Sequence, residues 1–355
     1  MTGYTIALLG DTSFGENYQA EYEAAGRGNI LIDQGYAYSL ERFRSLLSAC
    51  DLVIANLETP LTSLRHSALQ GSKQYVHWSD VEATPLALGD LHVHAVSLAN
   101  NHTMDQGAAG LQETLQSLAR HGIASFGAGM HEDDATRPFV HHAQLGGGTR
   151  RLAVFGAFEV RRRYLLEYGF YAGPGLPGVA SLRSAAVGER IRELKQQDPD
   201  TYVVVFPHWG QNYLWRTPKQ TRLARELVEA GADLIVGHGA HMLGEIERVG
   251  DAWTVYSLGN FVFNSEGSYA EQDAPPYSLI AVLTFAAGST GAPPSLRLYP
   301  ILSDNSATRY QPRFLSHEEF EHATAVLLEH SPDTAGLRKN LRTGQDEFGP
   351  FLAFA

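Results

Sequence analysis

Cysteine is almost missing from this sequence. Cys50 is alone among 355 residues, so no intrachain disulfide can form and no set of thiolates can hold a structural zinc. Its setting, between Leu46-Leu47 and Leu52-Val-Ile54, is that of a small core residue. Positive charge is also short. Twenty-seven Lys and Arg face 39 Asp and Glu, a net charge of -12, which leaves no overall field to hold nucleic acid. No apolar run nears the roughly 20 residues of a membrane-spanning helix. The first residues carry no basic region, and the apolar run 6–9 is too short for a signal peptide. The expectation is a cytoplasmic protein with neither membrane nor nucleic acid as partner.

Glycine (35) and histidine (15) are plentiful, and several histidines stand beside Gly, Asp or Asn rather than inside apolar patterns. Hydrophobic content of 44% and charged content of 19% are those of a globular protein. Short apolar runs predict strands at 5–9, 52–55, 92–99, 123–126, 202–206, 233–236 and 253–258. A hairpin is expected within 140–158, divided by Gly146-Gly147-Gly148, and a final strand pair at 277–285 and 295–302. Helical spacing falls at 39–49, 111–119, 185–197, 220–230 and 318–330. Residues 14–33 read as a surface loop. Residues 59–84 form a long excursion of the kind that is functional or disordered. The alternation gives an α/β class with one domain, 1–312, and a helical C-terminal extension, 313–355, packed on it.

The strand ends carry the chemistry. Ser97-Leu-Ala-Asn-Asn-His-Thr-Met-Asp-Gln-Gly107 delivers Asn100, Asn101, His102 and Asp105 to one strand-to-helix corner, where open α/β sheets place their sites. Asp11, Glu58, His208, and His238 with His241 end other strands. Each alone has an ordinary explanation: a strand-end Asp caps the next helix more often than it binds metal, and His208 beside Trp209 reads equally as a core histidine. Together, imidazoles and carboxylates at one sheet edge suit a borderline to hard divalent ion.

The ordered set Gly10-Asp11, Asn56-Leu57-Glu58, Ser97-Leu-Ala-Asn-Asn-His102 with Asp105 and Gly107, His208-Trp209-Gly210, Gly237-His238-x-x-His241 and Ser257-Leu-Gly-Asn260-Phe-Val262 resembles the CapA family. These are poly-γ-glutamate capsule proteins, a branch of the calcineurin-like metallophosphoesterase superfamily. The resemblance covers residues 5–263. It implies a four-layer α/β/β/α sandwich with two divalent ions between the sheets (calcium, manganese, magnesium or zinc) and no organic cofactor. By motif, Asp11 and His241 would bind one metal, Asn101, His208 and His238 the other, and Glu58 would bridge. His102 would handle protons, with Asp11 as a second catalytic group, and Asn260 would support the site or bind substrate.

Two departures stand out. Ser13 occupies a position where the superfamily usually has His, and the bridging motif is Asn-Leu-Glu. Both favour a harder, oxygen-seeking ion. Soluble CapA-like proteins include tailoring enzymes of ribosomally made peptides, among them a lasso-peptide epimerase. The favoured expectation is accordingly Cα epimerisation of a peptide near its C-terminus. Phosphoester or amide hydrolysis comes second, and poly-γ-glutamate biosynthesis or binding without catalysis third. Lys73, Tyr75, Trp78, Trp209 and Tyr213 are the candidate substrate-binding residues, with the basic run Arg161–Arg163 suited to carboxylates.

Overall fold

A computed structural model describes residues 3–288, 291–332 and 336–354 of the chain. Strand Tyr4–Ser13 lies in the middle of a ten-stranded sheet. Leu52–Leu57, Val93–Ser97 and Ala124–Phe126 follow on one side in parallel; Tyr277–Phe285, Ser295–Leu302, Pro350–Phe354 and Leu341–Gln345 follow on the other in antiparallel. A seven-stranded sheet is built around Tyr202–His208, with Leu234–Val236 parallel on one side and Thr149–Glu159 parallel on the other.

Strand alternation makes the layers. Ile6, Leu8 and Ile54 of the first sheet meet Val154, Val204, Phe206 and Val236 of the second in one buried core between the sheets. The residues between them point outward. Ala7, Leu9, Val53 and Ala55 pack against Leu111 and Leu118 of helix Gly107–Arg120 and against Phe43, Leu46 and Leu47. Val203, Val205 and Ile235 pack against Ile191, Leu223 and Leu227, with helix Pro218–Glu229 started by a Thr217 capping box. The result is the expected α/β/β/α sandwich.

Three expectations are corrected. Residues 14–33 are not a loop over the surface: they form helices Glu16–Ala24 and Ile30–Asp33. The first has no apolar stripe. It is anchored through buried Glu16, which accepts from Ser79 Oγ (2.5 Å), from the Asp80 amide (3.2 Å) and from Thr84 Oγ1 (2.5 Å). The excursion after Thr59 is irregular as expected but ends in an unforeseen helix, Ala83–Asp90. The C-terminal part is not only helical. Helix His317–His330 packs Phe320, Ala323 and Leu327 into the core between the sheets, but the chain then makes strands Leu341–Gln345 and Pro350–Phe354. The second pairs with Ser295–Leu302 and buries Leu352 and Phe354, an alternation too short to stand out from the polar residues before it. No helix among the described residues is long and apolar enough to cross a membrane.

Candidate active site

The two sheets bring their parallel strand ends to one edge. From the first come Asp11, Asn56, Glu58 and the corner after Val93–Ser97; from the second come His208 and the turn Gly237–His241. A relay of carboxamides aims Asp11. Asn100 Nδ2 donates to Asn56 Oδ1 (3.1 Å) and to the Leu57 carbonyl (2.8 Å), and Asn56 Nδ2 donates to Asp11 Oδ1 (2.8 Å). The Gly239 amide donates to Asp11 Oδ2 (3.0 Å). Gly239 has φ +107, and a Cβ there would lie 2.9 Å from His208 Nε2, so only glycine lets this turn close over the imidazole. His241 is itself left-handed (φ +60), an uncommon conformation for a residue with a side chain. Its Nδ1 donates to Asn260 Oδ1 (2.8 Å), and Tyr269 Oη donates to its carbonyl (2.7 Å).

The donors converge. Asp11 Oδ1 lies 3.5 Å from His238 Nδ1 and 3.8 Å from His208 Nδ1, while Oδ2 lies 3.4 Å from His241 Nδ1. Glu58 Oε1 stands 3.9, 3.9 and 4.0 Å from Nε2 of His102, His208 and His241. All six residues are buried, yet both Glu58 oxygens, His238 Nε2 and Asn101 Oδ1 have no hydrogen-bond partner. Buried polar atoms normally find partners, and two bare Glu58 oxygens facing imidazoles are suited to a cation. Among the described residues, the basic groups within 4 Å of the two carboxylates are imidazoles. Burial and the neighbouring Asp11 charge push the Glu58 carboxyl well above its ordinary range. Burial raises Asp11 too, but the hydrogen bond to His238 and the surrounding imidazoles outweigh it and hold Asp11 below its ordinary range. His208 is held well below the usual imidazole range, chiefly by burial, and so keeps a lone pair for a cation. Carboxylates, imidazoles and a carboxamide without thiolate fit zinc, manganese, magnesium or calcium.

Next to this cluster His102 is held by an ion pair. Its Nδ1 lies 2.6 Å from Asp105 Oδ2, and Lys73 Nζ lies 2.8 Å from Asp105 Oδ1 and 3.1 Å from His102 Nδ1. So short an approach to a carboxylate places the proton on Nδ1, leaving Nε2, on the Glu58 side, with its lone pair. The ring stacks on His77 at 3.5 Å, tilted by 2°. A cavity of about 640 Å³ opens over His102, Asn101 and His241.

The profile of the bacterial capsule synthesis protein PGA_cap family matches residues 5–265. The chain belongs to this family. It is 32% identical over 261 residues to the PGA biosynthesis protein CapA of Bacillus subtilis, covering 73% of this chain and 63% of that one. With the capsule biosynthesis protein CapA of Bacillus anthracis it shares 28% over 263 residues, 73% of this chain and 60% of the relative. With the probable polyglutamine synthesis accessory protein Rv0574c of Mycobacterium tuberculosis it shares 30% over 261 residues, 72% and 66%. The chain thus spans about six-tenths of the length of the two Bacillus relatives.

Within this PGA_cap fold Asp11, Glu58, His208, His238 and His241 meet, grouped differently from the expected split, while Asn101 lines the cavity beside them. One Asp11 oxygen faces His208 and His238, and the other faces His241 next to Glu58, so Asp11 joins the two groups as Glu58 does. Of the substrate candidates, Lys73, Tyr75 and Tyr213 line the cavity. Trp209 does not: it is fully buried against Tyr256 in the layer behind the second sheet, its Nε1 donating to the Tyr256 carbonyl (2.8 Å). Trp78 lies under the Arg65 guanidinium (3.8 Å) and outside the cavity lining. Asn260 is buried behind His241 and sets its ring rather than facing the cavity. Sequence reasoning missed the Asn100–Asn56 relay and the pairing of Lys73 with Asp105. The run Asn56…Asn100 at two adjacent strand ends is the one signal that pointed to the relay.

Proposed function

We propose that this PGA_cap family member is a divalent-metal-dependent hydrolase acting on an amide bond of an acidic, carboxylate-bearing peptide chain. The observation that carries the reading is the set of orphaned buried donors around Asp11 and Glu58, with His102 beside them under an open cavity. The name of the Bacillus subtilis relative, a PGA biosynthesis protein, supports the acidic substrate class, while the polyglutamine named for the Mycobacterium tuberculosis relative would be a neutral carboxamide chain. Asp11, Glu58, His208, His238 and His241, with Asn101 at the rim, would hold the cations, which when bound supply Lewis acidity at a carbonyl oxygen. His102 Nε2 takes the proton of the attacking water and passes it to the leaving nitrogen as the C–N bond breaks. Asp105, itself fixed by Lys73, keeps the ring in the tautomer that can do this.

Epimerisation is the second reading, favoured by the lone pair on His102 Nε2, which would accept a Cα proton as readily as one from water. It ranks lower because it needs a proton donor on the opposite face of Cα as well. Lys73 is committed to Asp105 and the Tyr75 carbonyl, which leaves tyrosine hydroxyls of the cavity as candidates, among them Tyr164, pushed up to about 12 mainly by burial. The deciding experiment incubates the metal-loaded chain with α- and γ-linked glutamyl oligomers in deuterium oxide, followed by mass spectrometry. Shorter oligomers establish hydrolysis. Gain of one mass unit at Cα without cleavage establishes epimerisation instead. Binding with neither, in a preparation that also leaves aryl phosphate intact, overturns both and leaves a binding protein.

A further inference from the structure

We infer that the cavity reads its substrate through two poles of opposite hydrogen-bonding character: the Arg161 guanidinium, which takes a carboxylate, and the Tyr18 oxygen, which accepts from an amide N–H. This rests on the peptide substrate proposed above and names the residues that select it.

Arg161 follows strand Thr149–Glu159 of the second sheet and lines the cavity with a side chain 27% exposed. Its guanidinium lies over the Phe158 ring (5.2 Å) and beside Tyr164 (6.0 Å), and its Nη2 donates to the Gly210 carbonyl, so the fork is held in one plane. Its charge is poorly matched. The nearest carboxylate, Glu159, is 3.8 Å away and is already taken by Lys219 Nζ (2.7 Å) and by the Gly210 amide (3.1 Å). The other cations of the cavity are engaged. Lys73 pairs with Asp105, and Arg163 bonds Glu167 (3.0 Å) and the Ser72 carbonyl (2.8 Å). Arg161 is the cation left to meet an anion from solution.

Tyr18 sits on helix Glu16–Ala24, after the central strand of the first sheet, and lines the same cavity. Its hydroxyl lies 2.9 Å from His77 Nε2, and His77 Nδ1 lies 3.1 Å from the Glu58 carbonyl. A carbonyl only accepts, so Nδ1 carries the hydrogen, Nε2 is an acceptor, and the Tyr18 proton is committed to it. What remains on the Tyr18 oxygen is lone pair. The buried, stacked His77 ring thereby converts a two-way hydroxyl into an acceptor.

Donor-only Arg161, after a strand of the second sheet, and acceptor-only Tyr18, on the helix after the central strand of the first, match a molecule that has both an anionic acceptor and an N–H. A carboxylated amide has both. A phosphomonoester dianion has no proton for Tyr18.

Calorimetry on the metal-loaded full chain tests this with a γ-linked tri-glutamate, its carboxyl methyl esters, its amide-N-methylated form, and methyl phosphate dianion as probes. Esterification weakens binding to the wild type by about 10- to 100-fold, the range of a charge-assisted bidentate contact. In Arg161→Gln acid and ester bind within about twofold of each other. N-methylation weakens binding to the wild type by about fivefold, the scale of one neutral hydrogen bond, but not to Tyr18→Phe, and Tyr18→Phe leaves methyl phosphate binding unchanged. If Arg161→Gln fails to fold, Arg161→Lys carries the comparison and retains part of the discrimination between acid and ester. The inference is overturned if the wild type binds acid and ester equally, if the Arg161 variants discriminate as strongly as the wild type does, or if N-methylation affects Tyr18→Phe and wild type alike. Binding that follows the expected pattern without turnover sinks the hydrolase reading alone. Turnover with KM unchanged in both variants sinks the two poles alone.

Discussion

Two groups of buried imidazole and carboxylate lie side by side in this molecule, and they differ in one atom. His77, His102 and Asp105 enclose a cation of the chain's own, Lys73 Nζ, 2.8 Å from Asp105 Oδ1. Asp11, Glu58, His208, His238 and His241 bring two carboxylates together with, among the described residues, no ammonium or guanidinium within 4 Å of them, and both Glu58 oxygens are left without hydrogen-bond partners. The residue types are nearly the same. Ligand chemistry alone therefore does not distinguish a metal site from a structural ion pair; the presence or absence of an internal counter-ion does. The first group is complete and serves to orient His102. The second has no such internal counter-ion among the described residues and could hold metal ions.

The largest effect that would test this contrast comes from removing the internal cation. Lys73→Met leaves Asp105 charged and buried, and a loss of about 3–5 kcal/mol in denaturant unfolding is expected. Adding Asp105→Asn should recover most of it, and a neutral Lys73→Met would break the comparison. Next, a divalent ion at about 100 times its Kd should stabilise the wild type by about 2.7 kcal/mol. Asp11→Asn and Glu58→Gln should lose that gain, as read from melting curves with and without chelator. The third effect is a pH dependence in metal-free protein. Because Glu58 titrates higher folded than unfolded, its favourable state is fully present below the ordinary glutamate range, and stability is lost as pH rises through the raised value. Glu58→Gln should flatten that dependence and make the metal-free protein more stable at alkaline pH by about 1–3 kcal/mol, the cost of an unsatisfied buried group. The smallest effect is at the tryptophan excluded from the cavity. Trp78→Phe, which keeps an aromatic ring in this partly buried position, should weaken the contact with Arg65 by about 0.5–1 kcal/mol, with peptide affinity unchanged by calorimetry.

The oxygen and nitrogen donors were legible because each ends a short apolar run, where strand direction dictates the sheet edge that a residue reaches. The layers were legible from the same runs. Lys73 was visible as a basic residue but not as the partner of Asp105, since the segment around it has no period and nothing local ties it to the corner after Val93–Ser97. Glu16 was missed for the same reason: its partners Ser79 and Thr84 are remote in sequence, and a helix held by polar bonds leaves no hydrophobic pattern. The assignment of Trp209 to substrate failed at a subtler point. Residues after His208 leave the strand, and which way the indole turns depends on Tyr256, a residue of a different strand end.

The central place of strand Tyr4–Ser13 has a consequence for the chain as it is made. Its neighbours are Leu52–Leu57 on one side and Tyr277–Phe285 on the other, with Ile6 opposite Leu283. At ordinary synthesis rates the ribosome needs roughly 11–45 s to pass from one to the other. Throughout that interval the first strand presents an unpaired edge carrying Ile6 and Leu8, residues that end up fully buried. The edge at Ile6 and Leu8 thus stays open until Tyr277–Phe285 has emerged, whereas the Asp11 end of the same strand gains its own neighbour, Asn260–Phe263, somewhat earlier.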